Sequence, residues 1–203
     1  MNAIAWTIVA LGIGVVVVRR RSIAVGLVTA QALLLAATAF SEGTSLDAAF
    51  AATALAVRGA VLAALFLLFV QRTRETRPVR AGVAPLGRAA AAVSLAMTLI
   101  WLVPPIGLDS EAAERATLSL VAIGLVTAAT RRATLFQVLG IVLVENGLAL
   151  AALSLPGTSS LAIEVGVAVD LLLIVLVAGV FHERIFAEFG AGDSAALRSL
   201  RDS

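Results

Sequence analysis

Four ionisable side chains stand inside long apolar runs of this chain: Arg58, Glu145, Glu164 and Asp170. A charge at the centre of a bilayer costs about 2.5–3.5 kcal/mol even on the mildest insertion scales, so such groups pair, face a bundle interior or line a wet path. Arginine does not release its proton in proteins, which makes Arg58 a counter-ion and leaves the three acids as the groups able to carry or relay a proton or cation. Three acids against one base leave two without a fixed partner in the chain. Those two must protonate, hydrate or pair with a neighbouring subunit. The structural alternative is that Arg58 neutralises one buried carboxylate and the pair only fixes helix packing. Gln31, midway along a second run, either joins this polar layer or serves as an interhelical contact. His182, beside Glu183 and Arg184, is either a proton entry point or a solvated histidine at the membrane surface.

These residues need helices to hold them. A spanning helix takes about 20 mostly apolar residues, and seven stretches qualify: 3–18, 22–40, 49–70, 89–103, 112–130, 133–155 and 161–181. The fourth and fifth are the shortest in apolar content, and six spans is the alternative count. The fold class expected is therefore all-α, a polytopic membrane protein of one domain with seven transmembrane helices and a cytoplasmic tail over 184–203. At about 1.5 Å of rise per residue, Arg58, Glu145 and Asp170 fall roughly 14–16 Å below the same surface, and Glu164 only about 5 Å below it.

Charge orients the spans. One set of alternate loops and the tail holds Arg19, Arg20, Arg21, Arg72, Arg74, Arg77, Arg80, Arg88, Arg131, Arg132, Arg184, Arg198 and Arg201, while the opposite loops hold Glu42, Asp47, Asp109, Glu111 and Glu114 with Arg115 the single base. The positive-inside rule then puts the N-terminus outside and the C-terminus in the cytoplasm. The first run carries its arginines after the apolar segment, unlike a secretory signal, which carries them before. The loop 71–88, with Pro78, Pro85 and five arginines, reads as a solvated topogenic loop or a segment near anionic lipid.

Composition removes other function classes. Of the 203 residues 61% are hydrophobic and only 14% charged, and mean hydropathy is +1.05, against about 25% charged residues in soluble domains. Nucleic acid is not an expected partner. There is no cysteine and one histidine, which excludes thiolate, iron–sulfur and multi-histidine metal sites within the chain. No phosphate-binding loop, dinucleotide fingerprint or metal-ligand spacing is present. No catalytic residue, cofactor or metal is expected here. A parallel three-helix repeat pairs spans 1–3 with spans 5–7: Arg58 precedes Arg72 by the same 14 residues that separate Asp170 from Arg184.

The run Arg131-Arg132, Gly140, Val144-Glu145-Asn146-Gly147 resembles the arginine-loop-then-glutamate pattern of the complex I K subunit and the Mrp antiporter C subunit. With Ile163-Glu164-Val165-Gly166-Val167-Ala168-Val169-Asp170, and the tail Gly192-Asp193-Ser194-Ala195-Ala196-Leu197-Arg198-Ser199-Leu200, it resembles component E of hydrogenase-4 and formate hydrogenlyase complexes. The likeness covers nearly the whole chain and is strongest from Arg131 to Ser203. It implies a membrane-arm subunit without a redox centre of its own, in a complex I-like, group 4 [NiFe]-hydrogenase-type respiratory complex of a prokaryotic cell (inner) membrane. The implied partners are antiporter-like and complex I H-like membrane subunits and a peripheral hydrogenase-like module. Glu145, Glu164 and Asp170 would match that family's buried acids. Relatives usually carry lysine where this chain has Arg58, so the base would tune its neighbours and not shuttle protons. A Mrp-like cation/proton antiporter subunit, a stand-alone transporter and a structural scaffold are the rival readings.

Overall fold

A computed structural model of the chain describes residues 2–42, 46–72 and 84–155. Among these it is all-helical, in the order α1 Asn2–Val17, α2 Arg21–Glu42, α3 Leu46–Arg72, α4 Pro85–Leu102, α5 Glu111–Thr130 and α6 Thr134–Leu153. Four helical segments, Arg21–Ser41, Pro85–Leu102, Glu111–Thr130 and Thr134–Leu153, are long and apolar enough to cross a membrane; Asn2–Val17 and Ala52–Leu68 are apolar but shorter. The seventh expected span and the tail, and with them Glu164, Asp170, His182 and the last helix of the three-helix repeat, lie outside the described residues.

Local chemistry sets the helix ends. Ser110 caps α5, its hydroxyl accepting from the Ala113 amide at 3.2 Å, and Glu111 and Glu114 follow in the first turn, where the helix dipole favours acids. The Glu114 carboxylate also accepts from the Ile106 amide, holding the turn that follows Pro104-Pro105, and Glu111 pairs with Arg115 one turn on. Proline cannot continue α4, so the helix stops just before that pair. At its other end α4 starts with Pro85 in the first turn, four residues earlier than the apolar run alone suggests. Arg88 therefore belongs to the helix and not to the preceding loop.

The helices pack as neighbours in an up-and-down arrangement. α5 lies along α6, α2 along α3 and α4 along α5, with α1 wedged against α2, α4 and α5. The α5–α6 seam is the tightest. A methyl group built on Gly124 would stand 2.5 Å from the Gly140 carbonyl, and one on Gly140 only 2.6 Å from the Ala128 amide. Without a hydrophobic drive between helices in lipid, such backbone proximity is what supplies dispersion contact. The larger apolar core joins Val15, Val25, Leu62, Phe66, Ile123, Phe136, Leu139 and Leu143 from five helices; a second joins Ile8, Leu35, Ala116, Leu120 and Leu150. The polar layer described next crosses between them.

Candidate functional site: a buried polar chain

The two apolar clusters part around four polar side chains drawn from α2, α3 and α6. Arg58 Nη2 lies 3.0 Å from Glu145 Oε1. The same nitrogen donates to Asn146 Oδ1 at 3.3 Å. Asn146 Nδ2 donates to Gln31 Oε1 at 3.2 Å, and Gln31 Nε2 donates to the Ile8 carbonyl of α1 at 2.6 Å. The result is a continuous line of contacts, Glu145 to Arg58 to Asn146 to Gln31 to Ile8, that touches four helices. All four side chains are buried, Gln31 completely.

Each link has a local cause. Glu145 and Asn146 are consecutive, so on a helix they point about 100° apart, and α6 presents a charge to Arg58 and an amide between Arg58 and Gln31. Nη2 carries two N–H groups, so a single nitrogen of the cation serves both. Gln31 reaches α1 because Gly12, one turn after Ile8 on the same face, leaves room: a methyl on Gly12 would stand 3.2 Å from Gln31 Nε2. The Ile8 carbonyl is already in the α1 ladder, and a carbonyl has a second lone pair for the amide. Beside Arg58, Gly59, Thr29 and Asn146 is a cavity of about 10 Å³, the lower limit for a single water. Arg58 Nε has no hydrogen-bond partner.

The structure thus brings together Arg58, Glu145 and Gln31 of the residues singled out in the sequence. Glu164, Asp170 and His182 lie outside the described residues. Asn146, which bridges the base to Gln31, carries no charge, and in the sequence it stands out only as part of a motif. Its signal is an uncharged amide next to the buried acid of α6.

A second polar cluster sits at the end where α1, α5 and α4 meet the arginine-bearing turns. Arg131, between α5 and α6, is buried, and its Nη2 donates to the Val16 carbonyl at 2.9 Å, to Val15 at 3.3 Å and to Val18. It thereby closes the last turn of α1, where α1 has no basic residue of its own. Its carbon Cζ stacks 4.0 Å from the centre of the Phe136 ring. Burial, and then the like charges of Arg88 and Arg19, push the Arg131 guanidinium down to about 10. At neutral pH it keeps its charge. In sequence, Arg88 and Arg131 look like topogenic loop charges, and the structure encloses both.

No family model matches the chain, and no solved structure resembles it. The chain is similar to an uncharacterized protein of Mycobacterium tuberculosis, Rv0085, with 36% identity over 87 residues, covering 43% of this chain and 40% of that protein. The match thus spans less than half the length of the curated relative.

Proposed function

We propose that this chain is a non-catalytic membrane-arm subunit of a complex I-like, group 4 [NiFe]-hydrogenase-type respiratory complex, with seven spans in a prokaryotic cell membrane, N-terminus outside. Its role is to contribute buried acids to a path for protons or cations at mid-membrane. The observation that carries the reading is the unbroken polar chain from Glu145 through Arg58, Asn146 and Gln31 inside helices of otherwise apolar composition. The motif resemblance from Arg131 onward supports the choice of complex.

In this reading Glu145 is the carrier among the described residues. While Arg58 stands at 3.0 Å the carboxylate is held as the anion. When the guanidinium leaves the carboxylate and keeps only its bond to Asn146, the acid takes a proton from a water or from the next carrier, and Arg58 returns as the proton leaves. Arg58 stays charged throughout and acts only by position. Asn146, itself held by Gln31, gives the guanidinium a second partner that competes with the carboxylate. Glu164 and Asp170 serve as the onward relays toward the opposite surface. Electron transfer belongs to partner subunits, and this chain supplies no redox group.

The second reading, a scaffold whose charges lock helices, is favoured by the directness of the Arg58–Glu145 contact. Two measurements separate the readings. Purification in mild detergent should recover nickel–iron and iron–sulfur subunits with the chain; their absence from an otherwise intact assembly counts against the complex, and recovery of antiporter subunits alone favours the Mrp-like alternative. In the assembled complex, Glu145→Gln should abolish proton pumping while leaving assembly and electron transfer in place. Normal pumping in that variant leaves the scaffold reading.

A further inference from the structure

A cavity of about 380 Å³ opens between the end of α4, the Pro104-Pro105 turn and the first turns of α5. That volume lies in the range of ligand pockets, about 300–1,000 Å³. Its walls are of two kinds. Trp101, Leu102 and the two prolines line it with apolar surface, and Glu111, Glu114 and Arg115 put charge beside that surface. Two carboxylates against one guanidinium leave the lining with an excess negative charge, and exposed Asp109 in the same turn has the same sign. Glu111 and Arg115 pair with each other, yet both side chains are more than half exposed. An ion pair so exposed is weak enough to open for a ligand.

An apolar track leads to this cavity. Val93, Met97 and Trp101 are four residues apart, so they share one face of α4, and all three are exposed, Trp101 at 87%. α4 is also the least buried of the four described membrane-length segments. Its 18 residues rise about 27 Å, against about 30 Å for the hydrocarbon core of a bilayer. An α4 that crosses a bilayer therefore brings its last turn, and the cavity beside it, to the headgroup level. Tryptophan is enriched at that level, and its ring face attracts cations.

We propose that this cavity seats the headgroup of a zwitterionic phospholipid bearing a primary amine, phosphatidylethanolamine, with an acyl chain laid along Val93, Met97 and Trp101. The ammonium supplies the positive charge that the lining lacks and three N–H donors for the carboxylates of Glu111 and Glu114. The phosphate takes the Arg115 guanidinium. Phosphatidylglycerol has the phosphate but brings net negative charge to a site already negative. Phosphatidylcholine has both charges but no N–H to donate. The site rests on one part of the reading above, that α4 crosses a bilayer. It stands whether or not the chain around Arg58 conducts.

The test uses the full-length protein, extracted in mild detergent and freed of lipid. Thermal unfolding is followed with phosphatidylethanolamine, phosphatidylglycerol or phosphatidylcholine of the same acyl chains, or with soluble phosphoethanolamine. Phosphatidylethanolamine should raise Tm by several degrees more than phosphatidylglycerol, and phosphatidylcholine should fall short of it. The double variant Glu111→Gln, Arg115→Gln changes two exposed side chains and should remove most of the preference. Equal stabilisation by phosphatidylethanolamine and phosphatidylglycerol overturns the proposal, as does an undiminished preference in the double variant. Phosphatidylcholine matching phosphatidylethanolamine overturns the contact between ammonium and carboxylates. Soluble phosphoethanolamine reproducing the full shift overturns the lipid as source. A chain recovered from the soluble fraction without detergent overturns the membrane reading itself, whereas lipid indifference in a membrane-extracted chain overturns only this site.

Discussion

Arg58 on α3 and Glu145 on α6 meet at 3.0 Å although the backbones of their two helices are otherwise scarcely in contact. The pair is a strut across a gap, and Asn146 on the same guanidinium makes it a branched one. Taking away one member of a buried pair typically costs about 3–5 kcal/mol, whereas replacing both with apolar residues of similar volume is often neutral. Arg58→Met and Glu145→Leu should each lower stability by that order in chemical unfolding of the detergent-solubilised protein, and the double variant should recover most of it. Additive losses would mean that the two residues act separately.

Gln31 offers a second, uncharged test of the same line. Its amide is fully buried and bonds both Ile8 and Asn146. Gln31→Leu removes those bonds and leaves the Asn146 amide hydrogens unmet, for a loss of about 1–3 kcal/mol. Gly12→Ala should weaken the protein through Gln31, because the new methyl crowds Nε2 at 3.2 Å. In a Gln31→Leu background the same change should cost much less, a coupling that a double-mutant cycle of unfolding free energies measures.

The α5–α6 seam should be the least forgiving place in the described structure. Gly124→Ala and Gly140→Ala put a methyl within 2.7 Å of backbone atoms of the facing helix, which cannot move aside as a side chain can. Overpacking of this kind costs about 1–3 kcal/mol or more, and both variants should show lower Tm and faster proteolysis. Gly26, with open space around its added Cβ, serves as the control and should tolerate alanine.

Arg131 carries a prediction about pH. Its affinity for the proton is lowered in the folded chain, to about 10, by burial and by Arg88 and Arg19. The unfolded state therefore binds the proton more tightly, and stability rises with pH only in the window from about 10 to the ordinary arginine value. Between pH 6 and 9 the contribution is constant. The difference in unfolding free energy between wild type and Arg131→Gln should thus be flat across neutral pH. A slope near pH 7 would assign the titration to some other group.

Much of the helical layout is readable from apolar runs, because the length of a run and the prolines and the serine cap at its ends are local properties. Pro104-Pro105 and Ser110 mark the end of α4 and the start of α5 without help from the rest of the chain. Depth along a helix is also local, which is why the apolar runs alone put Arg58 and Glu145 at one level. What the sequence hides is partnership. Arg88 and Arg131 count as loop charges in any tally of sides, yet one lies inside α4 and the other seals a helix more than a hundred residues away. Asn146 is silent for the opposite reason: with no charge and no unusual spacing, only the position of Gln31 on another helix gives it work.

The contact between Arg131 and the end of α1 also bears on how the protein is made. The carbonyls of Val15, Val16 and Val18 emerge from the ribosome 113 to 116 residues before the side chain that satisfies them. At roughly 5–20 residues per second, synthesis leaves that helix end unsealed for about 6–23 s. During this interval water, or some other group, must serve the carbonyls of the last turn of α1. The end of α1 is thus sealed only once the turn between α5 and α6 has been made.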